Sequence, residues 1–126
     1  MIIGIGTDIA ECARFERIWG KYGERFARRF LTHLEYSQLP EKGIALYLAS
    51  RFAVKEAAVK ALGTGFSDGI VCRDIGIVKN KEGRPSLVFT GKALAKADEL
   101  GVTAAHVSYS HENEYAVAMV MLERLP

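Results

Sequence analysis

The sequence is poor in the residues that mark disulfide-linked or metal-binding scaffolds. Only two of its 126 residues are cysteines, Cys12 and Cys72, and they form no C-x-x-C pair. A disulfide framework, a zinc site and a thiol redox motif are therefore not expected, and we predict that both cysteines are structural. Prolines number only three and no low-complexity tract occurs, so we expect one folded domain over 1–126.

Long apolar runs are absent as well. The longest segment without a charged residue, 100–111, has 12 residues, whereas a membrane-spanning helix needs about 18 or more. The N-terminal segment has no basic residue and contains Asp8, so we expect no signal peptide. These absences predict a cytoplasmic protein with no membrane partner.

The sequence also lacks a large excess of positive or negative charge. The chain has 17 basic and 15 acidic residues, for a formal net charge of +2, which is far below the charge of a general nucleic-acid-binding protein. With 49% apolar and 25% charged residues, the composition is typical of a globular domain. Nucleic acid is therefore not an expected partner, and binding surfaces have to be sought in local charge.

Hydrophobic periodicity and turn residues predict the order of the secondary structure elements. The predicted elements are a strand at 1–9, two short helices within 11–30 separated near Gly20 and Gly23, a short helix opened by the T-x-x-E pattern of Thr32 and Glu35 and ending near Pro40, a long central helix at 44–62 ended by Gly63, a hairpin of strands 70–79 and 86–90, a helix at 91–100, and a hairpin of strands 104–110 and 115–122. This order predicts an α+β fold in which a largely antiparallel sheet packs against the long central helix.

Two acids are candidates for chemistry. Asp8 shares one side of the first strand with Gly4 and Gly6, so backbone and carboxylate could approach a ligand closely; the alternative is that Asp8 ends the strand or caps the next helix. Glu56 lies four residues after Phe52 on an apolar side of the central helix and needs a cation, a metal or a raised pKa. Lys60, four residues on, offers a plain helical ion pair. Together the acids are typical of half a Mg²⁺ site.

Cations and glycines surround Glu56 in the sequence. Arg51, Lys55 and Lys60 are followed by Gly63, Thr64 and Gly65, a combination that could bind phosphates through side chains and backbone amides. Because the glycines follow a helix, the pattern is neither a Walker loop nor a dinucleotide fingerprint. A helix C-cap with a turn explains the same glycines without a ligand.

A polar row is predicted on the last hairpin. Alternation places His106, Ser108 and Ser110 on one face of a strand. Such a row suits phosphate or ribose hydroxyls, with His106 as a proton shuttle or hydrogen-bond donor. The alternative is that His106 is an edge-strand residue facing water and that His111 lies in the turn.

The N-terminal helical region carries a basic stripe. Six basic residues between 14 and 29 stand against Glu16 and Glu24, for a local net charge of +4. An acidic protein partner fits this stripe better than nucleic acid does, since no aromatics interleave with the charges. A solvated helix face is the alternative. The stripe consists of Arg14, Arg17, Lys21, Arg25 and Arg28.

Four motifs occur in order along nearly the whole chain. They are Gly4-Ile5-Gly6-Thr7-Asp8-Ile9, Arg28-Arg29-Phe30-Leu31-Thr32 with Glu35, Arg51-Phe52-Ala53-Val54-Lys55-Glu56-Ala57 with Lys60-Ala61-Leu62-Gly63-Thr64-Gly65, and His106-Val107-Ser108-Tyr109-Ser110-His111. With these motifs the chain resembles the holo-acyl-carrier-protein synthases, a family of small bacterial 4′-phosphopantetheinyl transferases.

The resemblance implies a fold, a reaction and a site. It implies transfer of 4′-phosphopantetheine from coenzyme A to a serine of apo-acyl carrier protein in fatty acid biosynthesis, with release of adenosine 3′,5′-bisphosphate. Asp8 and Glu56 match the family's Mg²⁺ ligands, and Lys60 would neutralise the pyrophosphate. His106, Ser108 and His111 resemble its nucleotide and phosphate contacts, and Gly63–Gly65 its backbone cradle.

Two further expectations come from the resemblance. Larger relatives carry a second acid where this chain has Ala10, so a water is expected there, and the base for the serine is either Glu56 or a metal-bound water. A homotrimer is expected, with coenzyme A between subunits and with the bare side of the first strand and the polar row on different halves of the site. The competing interpretations are a non-enzymatic module that docks an acidic protein and a Mg²⁺-dependent nucleotide hydrolase.

Overall fold

Five strands and five helices make up the computed structural model of the chain, which describes residues 1–126. The strands are β1 (Ile2–Glu11), β2 (Ile75–Lys79), β3 (Pro85–Phe89), β4 (Ala104–Glu112) and β5 (Tyr115–Glu123). The helices are α1 (Cys12–Tyr22), α2 (Glu24–Phe30), α3 (His33–Ser37), α4 (Ile44–Leu62) and α5 (Gly91–Leu100), and a short 3-10 turn at Cys72–Asp74 precedes β2.

The strands form two antiparallel sheets. The larger sheet has the order β1-β5-β4, and β2 with β3 forms a separate hairpin. Helix α4 packs across one face of the larger sheet, where alternate residues of β5 such as Ala118 and Val120 are buried. The predicted α+β fold with an antiparallel sheet on a long central helix is confirmed.

Close packing of β1 against α4 explains the glycines of the first strand. A Cβ atom built on Gly4 would lie 1.9 Å from the carbonyl oxygen of Ala61, and one on Gly6 would lie 1.8 Å from that of Ala57. The bare side of the strand is therefore filled by the backbone of α4. The prediction that this side is open to a ligand is wrong for the glycines, which are there for helix packing.

Several predicted boundaries are confirmed and others shift. Gly23, with φ 54°, separates α1 from α2, and Thr32 and Glu35 form the predicted reciprocal capping box of α3. Strand β1 extends two residues beyond the predicted end, and β2 begins at Ile75 because the 3-10 turn occupies 72–74. Strand β4 continues to Glu112, so His111 lies in a strand and not in the turn.

A buried ion pair joins α3, α4 and β2. Lys55 and Glu35 are both fully buried, with Nζ 2.7 Å from Oε1. The Lys55 ammonium also donates to the carbonyls of Ile75 at 2.6 Å and Cys72 at 3.1 Å, while Oε2 of Glu35 accepts from the Ile77 amide. Burial lowers the pKa of Lys55, and Glu35 opposes that shift. All three ammonium protons are committed in the core, which favours a structural role for Lys55 over the predicted contact with phosphate.

Both cysteines are free, Cys12 in the core and Cys72 partly covered. Burial raises the pKa of the Cys72 thiol to about 11, which keeps it protonated and unreactive at neutral pH. A structural role is consistent with both environments. Among the helices, none combines the length and the apolar character that crossing a membrane requires.

Candidate active site

Three predicted residues from β1 and α4 meet at one place. Asp8 lies on the side of β1 that faces α4, and its Oδ1 atom is 3.0 Å from the Lys60 ammonium. Lys60 also donates to the carbonyl of Thr7 at 3.0 Å. The ammonium therefore pairs with Asp8 on the strand, and no ion pair forms between Lys60 and Glu56 along the helix.

The two carboxylates are electrostatically coupled. The Oδ2 atom of Asp8 is buried and has no hydrogen-bond partner. Partial burial raises the pKa of Glu56, the negative charge of Asp8 raises it further, and Lys60 and Arg14 oppose the shift. An orphaned carboxylate oxygen beside a second acid is an arrangement that a divalent cation would satisfy. No third His, Cys, Asp or Glu completes a metal cluster, so such an ion would take its other ligands from substrate and water.

The basic stripe begins beside these acids. The Arg14 guanidinium lies 4.9 Å from the centre of the Phe52 ring and 5.5 Å from that of Phe15, and its charge acts on Glu56. Arg17 pairs loosely with Glu11 at 4.0 Å. All five stripe residues are exposed, although the break at Gly23 divides them between α1 and α2. The stripe is thus a surface feature that leads away from the acid pair.

Arg51 lies on the other side of α4 from Glu56. Only 7% of the residue is exposed, and the guanidinium is 4.0 Å from the centre of the Tyr47 ring and 5.6 Å from that of Tyr109. It forms no salt bridge, and Nε has no hydrogen-bond partner. A buried cation without an acid is costly, so an anion would stabilise this position.

A pocket adjoins the Arg51 stack. Tyr109 also contacts Lys79, whose ammonium is 5.6 Å from the ring centre. The sequence predicted His111 but missed Lys79 and Pro85, because they enter through the β2–β3 hairpin and no spacing links them to β4. In the sequence, the only indication of these two residues is that a lysine and a proline flank the glycine of a hairpin turn. The lining residues are Lys79, Gly83, Pro85, Tyr109, Ser110 and His111.

His106 and Ser108 lie on the face of the sheet opposite α4. The predicted alternation is confirmed, since both are exposed while Val107 and Tyr109 are partly covered. The His106 Nε2 atom is 3.0 Å from Oε1 of Glu123. The sheet separates His106 from Asp8 and Glu56 within one chain, as expected if the polar row and the acids belong to different halves of a site, and the role of His106 as proton shuttle or hydrogen-bond donor stays a prediction.

The glycine-rich segment after α4 is a helix cap. Gly63 has φ 80°, and its amide donates to the carbonyl of Lys60. The amides of Thr64 and Gly65 both donate to the carbonyl of Val59, at 3.1 and 3.2 Å. The amides of 63–65 are therefore occupied in ending the helix, which favours the alternative of a helix C-cap, and the phosphate cradle stays a prediction.

The open face of the larger sheet is largely apolar. Ile5, Ile9, Val117 and Met119 are 57%, 64%, 46% and 51% exposed. The register places Ile5 next to Met121 and Ile9 next to Val117, so these side chains form one continuous patch beside His106 and Ser108. Patches of this kind on a folded domain are typical of protein–protein interfaces.

Comparison with known proteins identifies the family. The sequence profile described as the 4′-phosphopantetheinyl transferase superfamily matches residues 4–120. The chain belongs to this superfamily. It is therefore a phosphopantetheinyl transferase, as the four motifs predicted.

Individual relatives support the assignment over the full length of this transferase. The chain is 53% identical to the holo-[acyl-carrier-protein] synthase of Nitratidesulfovibrio vulgaris over 123 residues, which cover 98% of this chain and 99% of that protein. The crystal structure of the Neisseria meningitidis synthase shares 41% identity and a TM-score of 0.88, covering 98% of this chain and all of the other. The Helicobacter pylori synthase, solved in complex with coenzyme A, shares 30% identity and a TM-score of 0.83, covering 94% and 99%.

Proposed function

We propose that this transferase moves 4′-phosphopantetheine from coenzyme A to a serine of apo-acyl carrier protein, in the cytoplasm and for fatty acid synthesis. The names of the relatives and the coenzyme A in the Helicobacter pylori synthase support the two substrates. The observation that carries the proposal is the group of Asp8, Glu56 and Lys60, where coupled acids and one cation lie beside a basic docking surface.

Asp8 and Glu56 are proposed to hold a Mg²⁺ ion, because the unpartnered Oδ2 of Asp8 and the raised pKa of Glu56 both call for a positive charge between them. When bound, the ion supplies charge stabilisation to the pyrophosphate. Lys60 lies 3.0 Å from Asp8 and half of its side chain is exposed, so its ammonium can contact the same phosphates. Together these groups balance the charge of the substrate.

The reaction is an in-line phosphoryl transfer. The serine oxygen of the carrier forms a bond to the phosphorus that carries the pantetheine arm, and the bond from that phosphorus to the bridging oxygen breaks. Adenosine 3′,5′-bisphosphate leaves with the electron pair. Glu56 is the carboxylate of this chain that is proposed to take the serine proton, because it lies beside Asp8 and Lys60 where the phosphate is proposed to bind.

The nucleotide end of coenzyme A is proposed to bind beside Arg51. The buried guanidinium without an acid, together with Lys79 and His111 in the adjoining pocket, provides positive and hydrogen-bonding groups for phosphate and ribose. Helix α4 stands between this group and Asp8 within one chain. We therefore propose that one site combines the acids of one subunit with the Arg51 group of its neighbour.

A homotrimer would bring the two groups together. The apolar patch of Ile5, Ile9, Val117 and Met119 is proposed as the subunit interface, since burying it removes apolar surface from water. The polar residues His106 and Ser108 would lie at the border of that interface, with His106 held by Glu123.

Acyl carrier protein is proposed to dock on the basic stripe. The stripe starts at Arg14, next to Glu56, and runs along α1 and α2. A carrier bound there by its acidic residues would place its serine near the acids. Electrostatic attraction of this kind accelerates and orients association more than it tightens the complex.

Mass spectrometry of the carrier tests the function. Apo-carrier is incubated with coenzyme A and MgCl₂, with and without this transferase. A carrier that gains one phosphopantetheine group, with release of adenosine 3′,5′-bisphosphate, supports the proposal. Cleavage of coenzyme A without a gain in carrier mass would mean hydrolysis, and binding without either change would mean a docking module.

A further inference from the structure

A second basic pocket lies beyond the end of the basic stripe. It is formed where α2, α3 and the 3-10 turn before β2 meet. Two arginines and a histidine contribute to it, and no carboxylate does. The lining residues are Arg28, Leu31, Thr32, His33, Tyr36 and Arg73.

Arg73 is exposed and has no acidic partner. Its Nη2 atom lies 3.2 Å from Nε2 of His33, and this contact orients the guanidinium without supplying a negative charge. No salt bridge involves Arg73. The group is therefore held in position at the pocket with its charge uncompensated.

Arg28 is the second cation of the pocket. Its Nε donates to the Tyr36 hydroxyl at 3.4 Å, and the guanidinium lies 5.5 Å from the centre of the Tyr36 ring. Its one acidic contact is Glu24 at 3.8 Å, between side chains that are both about two-thirds exposed. Such a surface pair contributes little, so Arg28 stays available to a stronger anion.

Two guanidinium groups facing one pocket favour an oxyanion. The planar fork of arginine matches a carboxylate or a phosphate through paired hydrogen bonds. The pocket shares Arg28 with the basic stripe, so it continues the surface on which the carrier is proposed to dock. The pocket is continuous with the basic stripe, and its two guanidinium groups are complementary to a negative charge. Both observations favour a carboxylate of the docked protein as the ligand.

We propose that Arg73, oriented by His33, forms with Arg28 the distal end of the carrier-docking surface and binds an acidic side chain of the carrier protein. This inference rests on the proposed function, because it assigns a second contact area to the same protein substrate. It adds a residue 45 positions away from Arg28 in the sequence, on an element that the stripe does not include.

The test compares Arg73→Ala with Arg124→Ala. Arg124 is also exposed and without a salt bridge, but it lies after β5 and outside the pocket. At low salt, Arg73→Ala is expected to raise the KM for a purified apo-acyl carrier protein about three- to tenfold, as the loss of one charged contact predicts. The KM for coenzyme A should not change, and Arg124→Ala should leave both values near wild type.

Binding measurements separate this inference from the proposed function. Calorimetry of apo-carrier with each variant, without coenzyme A, does not depend on turnover. If wild type transfers nothing but Arg73→Ala still weakens carrier binding, the docking inference is supported and the reaction is not. If wild type transfers and Arg73→Ala binds carrier as wild type does, the docking inference is overturned and the reaction stands.

A small free anion is the alternative ligand for the second basic pocket. Inorganic phosphate is added at constant ionic strength and carrier binding is measured again. Competition with carrier in wild type that disappears in Arg73→Ala supports docking at the pocket. Phosphate that binds in an Arg73-dependent way but leaves carrier binding unchanged would overturn the proposal, since the pocket would then serve a small anion.

Discussion

Ionisation of Glu56 costs more free energy in the folded protein than in the unfolded chain. Desolvation and the charge of Asp8 both raise its pKa in the folded protein, while Lys60 and Arg14 only partly offset them. A raised folded-state pKa means that the carboxylate stabilises the fold when protonated and loses that contribution as pH rises through the shifted pKa. The coupling of Glu56 to Asp8 therefore costs stability at neutral pH, and the proposed cation would offset that cost.

Glu56→Gln is expected to abolish most transfer while stabilising the metal-free protein. Turnover should fall by about a hundredfold or more, because the variant loses the proposed metal ligand and the proposed base. In urea unfolding with EDTA, the variant should be more stable than wild type at pH 7, and the difference should shrink at acidic pH, where wild-type Glu56 is protonated. Glu99→Gln, an exposed acid on α5, is the control. Near-native turnover in Glu56→Gln would contradict the assigned role.

Sequence spacing singled out some residues that the structure brings together, and for others it missed the true contact for a physical reason. Asp8, Glu56 and Lys60 were predicted from strand parity and helical period, and the structure brings them together. Lys55 was included because it precedes Glu56, but consecutive residues point to different sides of a helix. Its partner Glu35 comes from α3, and only the tertiary fold shows that contact.

At the scale of elements, small residues decide how β1 meets α4. Gly4 and Gly6 let the strand approach the helix backbone so closely that no side chain fits between them. The sequence predicted the long helix from its lack of glycine and proline, and its αL end at Gly63. It did not predict the close contact, because a glycine pair on a strand is equally compatible with a ligand and with a helix.

Gly6→Ala is expected to destabilise the protein by about 1–3 kcal/mol or more, since the new methyl group meets backbone atoms of α4 that cannot move aside cheaply. Gly20→Ala is the matched control, because a Cβ atom there has nothing within 4 Å and the position is inside α1. That substitution should stabilise by about 0.5–1 kcal/mol. Chemical denaturation of both variants measures the two effects, and equal stability in the pair would contradict the packing argument.

At the scale of the whole molecule, charge is concentrated on α1 and α2 while the chain as a whole is nearly neutral. The stripe touches the acid pair at Arg14 and the second basic pocket at Arg28. Under the proposed function, a change at Arg14 would therefore disturb both docking and the acid pair, which the sequence alone did not indicate. Arg25 is a cleaner probe, because it is exposed and forms no salt bridge.

Arg25→Glu is expected to raise the KM for the carrier and leave the KM for coenzyme A unchanged. The effect should shrink as salt is added, because exposed charges are screened over about 8 Å at physiological ionic strength. Arg124→Glu applies the same change of charge away from α1 and α2, so it controls for net charge. Steady-state kinetics with each substrate varied at two salt concentrations measures the difference. Equal effects of the two reversals would make the stripe an ordinary solvated face.

The separation of Asp8 from Arg51 by α4 leads to the last prediction. If each site combines the acids of one subunit with the Arg51 group of the next, Glu56→Ala and Arg51→Ala inactivate different halves of it. Either variant alone should be inactive. Co-expressed, they should form mixed oligomers in which about a quarter of the sites have both halves intact, since a cyclic assembly pairs each subunit with its neighbour at random.

Mixing the purified variants at a concentration that permits subunit exchange should give the same recovery of transfer activity. Sedimentation of wild type should show a trimer, and Met119→Glu, which puts a charge into the apolar patch, should shift it toward monomer and reduce activity with it. A site contained within one chain would make the mixture of Glu56→Ala and Arg51→Ala as inactive as its components. Full activity in a Met119→Glu monomer would likewise exclude a shared site, because a monomer can offer coenzyme A only one of the two halves.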